Sequence, residues 1–583
     1  VVFRVRARGD PGIPCRRRED RLKKPMTDRA HILSASPFRT HDVANQPPPL
    51  EDVNLYTLDA CLRESVAREG AGAASGALEA FGGKLGARET LRLAVDANTN
   101  EPILRTFDRY GNRVDEIDFH PAWHALMAMA IGHGTHASFC DPADGGGQVA
   151  RAAAFLMLGE VENGVQCPVS MTHAALPVIV KHRGSAPELE AWLPKLTSHR
   201  YDPRALPVAE KTGALLGMGM TEKQGGSDLR SNTTTAQRVS GSDRYPFRIV
   251  GHKWFFSAPT NDAHLVLATV DGGLSCFFVP RVLPDGSRNA IRLQRLKNKL
   301  GNRSNASSEV EFHGALACLI GEEGRGIQTI IEMATNTRLD CVLGTAGMMR
   351  RMLIEAANHA RYRAAFNRRL IEQPLMKNLL ADLTLESEAA TLAAIRLAKI
   401  FDSHGDEQSA HLRRVLTPAL KYWICKRGIV FAGEAMEVLG GNGYVEESNL
   451  PRLFREMPLN SIWEGSGNVM CLDVIRALTG KGTSARGLID ELETAQGLNR
   501  DLDAAIARLK ALVVDPARLD EQQGRQLAES IAVTWCASLL VRYSPHAVGD
   551  AYCAGRLGAE RSLQPGALPQ GTAVDAILDR VFA

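Results

Sequence analysis

At 583 residues the chain is longer than one ordinary domain, and roughly two to four domains are expected. An apolar share of 44% beside 23% charged residues describes a soluble globular protein with a substantial core, and no run approaching about 18 apolar residues offers a membrane span. A net charge of +3 neither demands nor excludes a polyanionic partner. The eleven cysteines are scattered singly, without a C-x-x-C pair, and Cys276, Cys318, Cys341, Cys425 and Cys471 fall inside apolar stretches. That usage suits buried packing thiols in a reducing compartment, so a cytoplasmic location is expected.

In chain order, residues 1–45 come first, with eleven Lys/Arg against five Asp/Glu and no apolar h-region. A secretory signal is not expected, five acids argue against an organellar presequence, and a disordered extension is the expectation. Residues 46–216 read as an α-helical domain, with helix-period apolar residues in "AWHALMAMAI" and "ARAAAFLMLGEVENG". Between 217 and 322, short β-rich runs such as "YPFRIVGHKWFFSAP" and "SSEVEFHGALACLIG" are separated by Gly, Pro, Asn and Asp, which predicts a compact all-β domain. Residues 323–482 carry long amphipathic segments over 327–363, 374–403, 407–439 and 461–479, enough for a four-helix bundle. A Gly/Ser-rich break, "GKGTSARG", precedes a further helical block over 483–583.

Several stretches have the residue types of a site, each with a plainer reading beside it. "GMGMTEKQGGSD" (Gly217 to Asp228) offers a close backbone approach and the hydroxyls of Thr221 and Ser227, yet its composition equally fits a Gly-rich interdomain loop. No P-loop occurs, and the G-x-G-x-x-A spacing at Gly132, Gly134 and Ala137 follows a helical run, not a strand, which excludes a Rossmann reading. His120 and His124 share a helix face, but Pro121 stands where a zincin has its glutamate, so no metal is expected. "RLQRLKNKLGNRS" from Arg292 to Ser304 is basic without an acid, a solvated face or a polyphosphate contact. Arg363, Phe366 and Gln373 combine a cation, an aromatic face and an amide. Gly440 and Gly441 close a helix in "MEVLGGNGY", where capping suffices as an explanation. "NSIWEGSGN" places one carboxylate, Glu464, beside Ile462 and Trp463, both expected to be buried; an acid against apolar surface is a candidate site.

Taken in order, "MTEKQGGSD", "HKWFFSAP", "KLGNRSNASSEVEF", "RAAFNRRL", "EVLGGNGY" and "IWEGSG" resemble the acyl-CoA dehydrogenase superfamily over roughly residues 50–480. The wording of the first and last, with the added block after 480, is most similar to the AidB-like flavoproteins of the adaptive response to DNA alkylation. The resemblance implies an α+β multidomain fold: a helical N-terminal domain, a middle β-barrel and a four-helix bundle, here followed by an extra helical domain. It implies FAD held by Met220, Thr221, Glu222, Gly226 and Ser227, by Phe255 and Ser257, and by Gly465 and Asn468 beside the flavin. Arg363, Phe366, Gly440 and Gly441 are implied to reach the FAD of a neighbouring subunit in a homotetramer. Glu464 takes the place of the catalytic base, and Arg338 flanks the acyl channel. The base removes an α-proton from an acyl-CoA thioester while hydride leaves the β-carbon for the flavin, and one carboxylate suffices because the flavin accepts the hydride. Lys223–Gln224 replaces the usual Pro-Gly or Pro-Ala and Trp463 the common Tyr, departures that point to weak dehydrogenase turnover.

Two functions stay open at this point. One is a short- or branched-chain acyl-CoA dehydrogenase whose terminal block serves only oligomer packing. The other, which the AidB resemblance implies, is a flavoprotein that binds double-stranded DNA and protects it or detoxifies alkylating agents. Residues 481–583 carry 11 Lys/Arg and 13 Asp/Glu, so DNA contact there needs a clustered stripe, for which Arg476, Arg486, Arg500 and Arg508 are the candidates.

Overall fold

The computed structural model describes residues 40–583 apart from 138, 140–146, 187, 241–243, 404, 481–482, 514–518 and 560. Most of the predicted disordered extension, up to residue 39, lies outside the described residues. Residues up to Gln46 group apart from Pro47–Ala583, the unit treated below.

Seven helices open this unit: α1 (Ala60–Arg68), α2 (Ser75–Leu85), α3 (Arg88–Thr99), α4 (Pro121–Gly132), α5 (Gly147–Gly159), α6 (Gln166–His182) and α7 (Glu188–Leu196). A hairpin, β1 (Ile103–Phe107) with β2 (Arg113–Asp118), interrupts them. His120 begins α4 as its N-cap, its Nδ1 accepting from the Ala122 amide at 3.3 Å, with Pro121 in the first turn where no intrahelical N–H is needed. His124 bonds the Tyr201 hydroxyl through Nδ1 at 2.9 Å, so the two histidines serve separate structural contacts.

The β-region contains β3 (Leu216–Gly219), β4 (Thr235–Arg238), β5 (Phe247–Ser257), β6 (Ala263–Val270), β7 (Gly273–Pro280), β8 (Ile291–Leu296) and β9 (Ser307–Ile320). Pairings run β3–β6–β4–β5–β9–β7, and β7 returns to β6, which closes the sheet into a barrel with β8 added along β9. Strand alternation explains how one sheet serves two cores. On β6, Val266 and Ala268 enter the barrel interior with Phe247, Phe256, Phe277 and Phe312. The alternate residues Ala263, Leu265 and Leu267 face outward onto α6 and α7, through Ala174, Leu176, Ile179 and Trp192. The barrel is thereby pressed onto the helical region along one wall.

Three long helices follow, α8 (Gly326–Tyr362), α9 (Pro374–Asp402) and α10 (Glu407–Val438), and then the single turn α11 (Gly441–Tyr444). The fourth member of the bundle, expected over 461–479, is α13 (Gly467–Thr479), which starts six residues later, and a helix not expected, α12 (Leu450–Asn460), precedes it. Between them Glu464 at φ 58 and Gly465 at φ 106 lie in left-handed backbone regions that no α-helix continues through, and Ser466, in extended backbone, holds the N-cap position of α13. Ile462 in this break is exposed, contrary to the expectation from its apolar side chain, because the turn after α12 points it away from the core; Trp463 is half-buried.

The terminal block, α14 (Thr483–Glu493), α15 (Arg500–Val513), α16 (Gly524–Tyr543), α17 (His546–Arg556) and α18 (Val574–Leu578), does not stand apart. Its Leu488, Leu509, Trp535 and Tyr552 share one core with α5, α8, α9 and α10. Buried ion pairs seal the contact: Arg556 bonds Asp382 and, at 2.6 Å, Glu386 of α9, and Arg580 bonds Glu388 at 2.6 Å. Arg427 of α10 joins Glu386 at 3.1 Å. Burial alone pushes the Glu386 carboxyl up, but Arg556 and Arg427 outweigh it and hold it below the ordinary range. Removing one partner of such a pair strands a buried charge at a cost of about 3–5 kcal/mol, so the block and the bundle fold as one body.

Candidate active site

Glu464 sits where α8, α10 and the α12–α13 break meet. Its Oε2 lies 2.6 Å from the Thr337 hydroxyl of α8, and that same hydroxyl is 3.0 Å from the Ala334 carbonyl. A hydroxyl has one proton and two acceptor sites. With Glu464 ionised, Thr337 donates to the carboxylate; with Glu464 protonated, Thr337 accepts its proton and turns its own toward Ala334. The contact therefore accommodates both states of a base. Burial pushes the Glu464 carboxyl above its ordinary value, while Thr337, Arg338 and Lys421 pull in the other direction.

The backbone of this break is held from below. Lys421, fully buried on α10, donates to the Trp463 carbonyl at 2.7 Å and also to the Gly465 carbonyl. Arg338 Nε donates to the Glu464 carbonyl at 2.9 Å, while its Nη1 pairs with Asp473 of α13 at 2.8 Å. The arginine implied to flank an acyl channel is thus committed to the loop that bears the carboxylate. Trp463 Nε1 donates to Asn460 at 2.8 Å and fixes the ring on the side of the barrel, in the apolar cluster that also receives Met220. A left-handed non-glycine residue costs roughly 1–2 kcal/mol, and these contacts are what keep Glu464 there.

The loop after β3 lies beside β5, because the Trp254 amide donates to the Thr221 carbonyl at 2.8 Å. Gly226 nests on Thr221: a Cβ added at Gly226 would stand 2.4 Å from the Thr221 Oγ1. Ser227 is exposed, Phe255 is exposed on β5, and Ser257 is half-buried with its Oγ 3.4 Å from that of Ser307. Glu222 is placed differently from its neighbours. Its carboxylate turns inward, 2.8 Å from Lys253 Nζ, and accepts from the Thr233 and Thr234 amides at 2.7 and 3.2 Å. Burial opposes its charge, but Lys253, Thr234 and the Thr233 amide hold the carboxyl well below the ordinary range. Glu222 builds the loop from inside and offers a ligand only its backbone. Asn468 is likewise engaged, its Oδ1 accepting from Arg525 Nε of α16 at 2.9 Å.

The remaining predicted cofactor residues gather at the other end of the bundle. Arg363 lies 25 positions past Arg338, which at about 1.5 Å per residue is roughly 37 Å along α8. There, Ala364–Ala365 pairs with Arg368–Arg369 around a two-residue turn whose Phe366 and Asn367 have φ 53 and 61. Phe366 is 94% exposed, and Gln373 Nε2 braces the turn on the Ala365 carbonyl at 3.1 Å. Gly440, at φ 59 and ψ −138, turns the chain at the same end, where Asn449 bonds Glu355 of α8 and Tyr444 stands exposed. Open space surrounds a Cβ at Gly440 or Gly441.

FAD fits these residues as two half-sites. Thr221, Ser227, Phe255 and Ser257 offer hydroxyls and an aromatic face along β5 and the loop after β3, and the open glycine turn with Arg363 and Phe366 has the residue types that suit a nucleotide. The structure also adds residues the motifs did not flag. Cys167 of α6 is buried, and burial pushes its thiol up to about 12, with the Glu464 charge acting in the same direction. Thr337 and Lys421 belong to the site as well. In the sequence they sit in uninterrupted helical patterns, and only the cation at 421 in a buried stripe was a signal. Arg476, Arg486, Arg500 and Arg508 are all exposed, on α13, α14 and α15, with Arg486 3.9 Å from Asp490 and Arg500 3.8 Å from Asp501.

Residues 45–203 match the adaptive response protein AidB N-terminal domain, residues 217–315 the acyl-CoA dehydrogenase middle domain and residues 324–479 the acyl-CoA dehydrogenase C-terminal domain. The chain is 49% identical over 517 residues to AidB of Escherichia coli (strain K12), covering 88% of this chain and 94% of that protein. It is 30% identical over 458 residues to acyl-CoA dehydrogenase family member 11 of Caenorhabditis elegans, covering 75% and 72% of the two. The crystal structure of C. elegans ACDH-11 in complex with C11-CoA superposes with a TM-score of 0.80 at 26% identity, over 93% of this chain and 96% of that one.

The Glu222–Lys253 pair supports the loop after β3 from inside. Lys253→Met strands the buried carboxylate, so thermal unfolding is expected to show a loss of about 3–5 kcal/mol. Flavin content of the purified protein should fall with it, as the 221–227 loop loses its support.

Proposed function

We propose, for a chain that belongs to the acyl-CoA dehydrogenase family and to its AidB branch, that Glu464 removes the α-proton of an acyl-CoA thioester. The observation that carries this reading is the Glu464 contact with Thr337, in which a half-buried carboxylate finds a partner in either protonation state. Bound FAD supplies the two-electron acceptor for the hydride that leaves the β-carbon. Met220, Thr221, Gly226, Ser227, Phe255 and Ser257 line the flavin half-site, with Gly465 leaving room beside the base. Arg363, Phe366, Gly440 and Gly441 serve the adenosine half of a flavin bound to another copy, since Arg363 lies roughly 37 Å along α8 from Arg338, the residue that holds the base loop. This supports the homotetramer that the family resemblance implies.

The test is anaerobic. Short and branched acyl-CoA thioesters are added to the purified FAD-loaded protein, and bleaching of the flavin absorbance is followed. Glu464→Gln is expected to slow bleaching by about 10²–10⁴-fold, the usual share of a general base. Because burial raises the Glu464 carboxyl, the acid limb of the rate lies above the ordinary glutamate range, with activity lost as pH falls through it. Bleaching at an undiminished rate in Glu464→Gln contradicts the assignment.

A second reading, association with double-stranded DNA in the response to alkylation, is supported by the likeness to AidB and by the exposure of Arg476, Arg486, Arg500 and Arg508. In that setting the flavin site serves to detoxify alkylating agents or to shield DNA from them, beside a weak dehydrogenase activity. The terminal block shares the bundle core, so the test replaces these four arginines by alanine without truncating the chain. Each phosphate no longer neutralised lowers the slope of log affinity against log salt by about 0.9. An unchanged slope removes this reading.

A further inference from the structure

We propose that Lys421 is the positioning residue of the base loop, its buried side chain gripping the two peptide carbonyls on either side of Glu464. The inference rests on the reading of Glu464 as the base.

Three consecutive carbonyls, of Trp463, Glu464 and Gly465, are all taken by cationic side chains from two different helices. The outer two go to one Nζ, that of Lys421, and the middle one to Arg338 Nε. Such a grip fixes the path of the backbone over three residues, and Glu464 lies at its centre with φ 58. An extended or helical residue there would rotate its flanking carbonyls away from a single donor. The geometry therefore couples the conformation that aims the carboxylate at Thr337 to the ammonium beneath it.

Lys421 has no other evident reason to be where it is. It is fully buried on α10, a place where an unbranched apolar residue packs at lower cost. Its three donors make it suited to two carbonyls at once. Its charge also acts on the base. Among the described residues, the charged and titratable groups that act on Glu464 include Arg338, Asp340 and Cys341 of α8, Lys421 of α10 and Cys167 of α6. Arg338 is balanced by Asp473, and Asp340 is paired with Arg151 and His173. Lys421 is the cation facing Glu464 whose ammonium is taken by carbonyls and not by a carboxylate, among the described residues. Removing it takes away both the grip and a charge that favours the ionised carboxylate.

The experiment uses the FAD-loaded full chain with Lys421→Met, Lys421→Arg and Glu464→Gln in parallel. The probe is isovaleryl-CoA, followed by anaerobic flavin bleaching across pH, and crystal structures of the lysine variants accompany the kinetics. Lys421→Met is expected to bind FAD, to bleach on the order of a hundredfold more slowly, the scale of an ångström of misplacement, and to show its acid limb at higher pH. In its crystal structure residue 464 leaves the left-handed region and its carboxylate no longer reaches Thr337. Lys421→Arg, which keeps charge and two donors, restores the acid limb and most of the rate. Wild-type bleaching, pH profile and loop conformation in Lys421→Met overturn the proposal. If Lys421→Met does not yield folded protein, Lys421→Ala, with neither donor nor charge, is held to the same loop and pH criteria. If Glu464→Gln bleaches like the wild type, the base reading fails instead, and the loop conformation in the lysine variants still decides the role of Lys421.

Discussion

A carboxylate that works as a base inside a protein must give up water without giving up its charge. Burial raises the free energy of the ionised form, and only nearby donors and cations can bring it back within reach. At Glu464 the requirement is met in the break between α12 and α13, and much of the architecture is explained by what that break needs. Thr337 and Arg338 come from α8, Lys421 from α10, and Asp473 from the helix that follows. None of these bonds survives if the helices slide relative to one another, so the rigidity of the bundle is a condition for the site.

The barrel and the terminal block serve that rigidity from opposite sides. The outward residues of β6 lock the barrel onto α6, the helix that carries Cys167. On the other flank, the carboxylates of Asp382, Glu386 and Glu388 on α9 are buried and matched by Arg556 and Arg580. The block also touches the base loop's own helix, through Arg525 on Asn468, four residues from Glu464. A reading of the block as an appended module therefore understates it. It is part of the wall against which the bundle is set, whatever surface it presents outward.

Much of this was legible in the amino-acid order, for reasons that can be named. Long amphipathic runs predicted helices over 327–363, 374–403 and 407–439, and no end of α8, α9 or α10 differs from those limits by more than one residue. The periodic pattern overshot at 461–479, because apolar spacing continues through Ile462 and Trp463 while the backbone does not. Only the Gly-Ser-Gly after Glu464 hinted at the break. The roles of Glu222 and Asn468 were hidden because their partners, Lys253 and Arg525, lie 31 and 57 positions away. Net charge was equally silent on the terminal block: a balance near zero there conceals arginines spent on α9 inside the fold and others exposed on its surface.

The most direct test of a base at position 464 is α-proton exchange, which needs no net turnover. The FAD-loaded protein is incubated anaerobically in D2O with a branched acyl-CoA thioester, and the recovered thioester is read by mass spectrometry and NMR. The account predicts deuterium at the α-carbon with the wild type and none above the uncatalysed background with Glu464→Gln. Equal exchange by both proteins, or none by either while the thioester is bound, would contradict it.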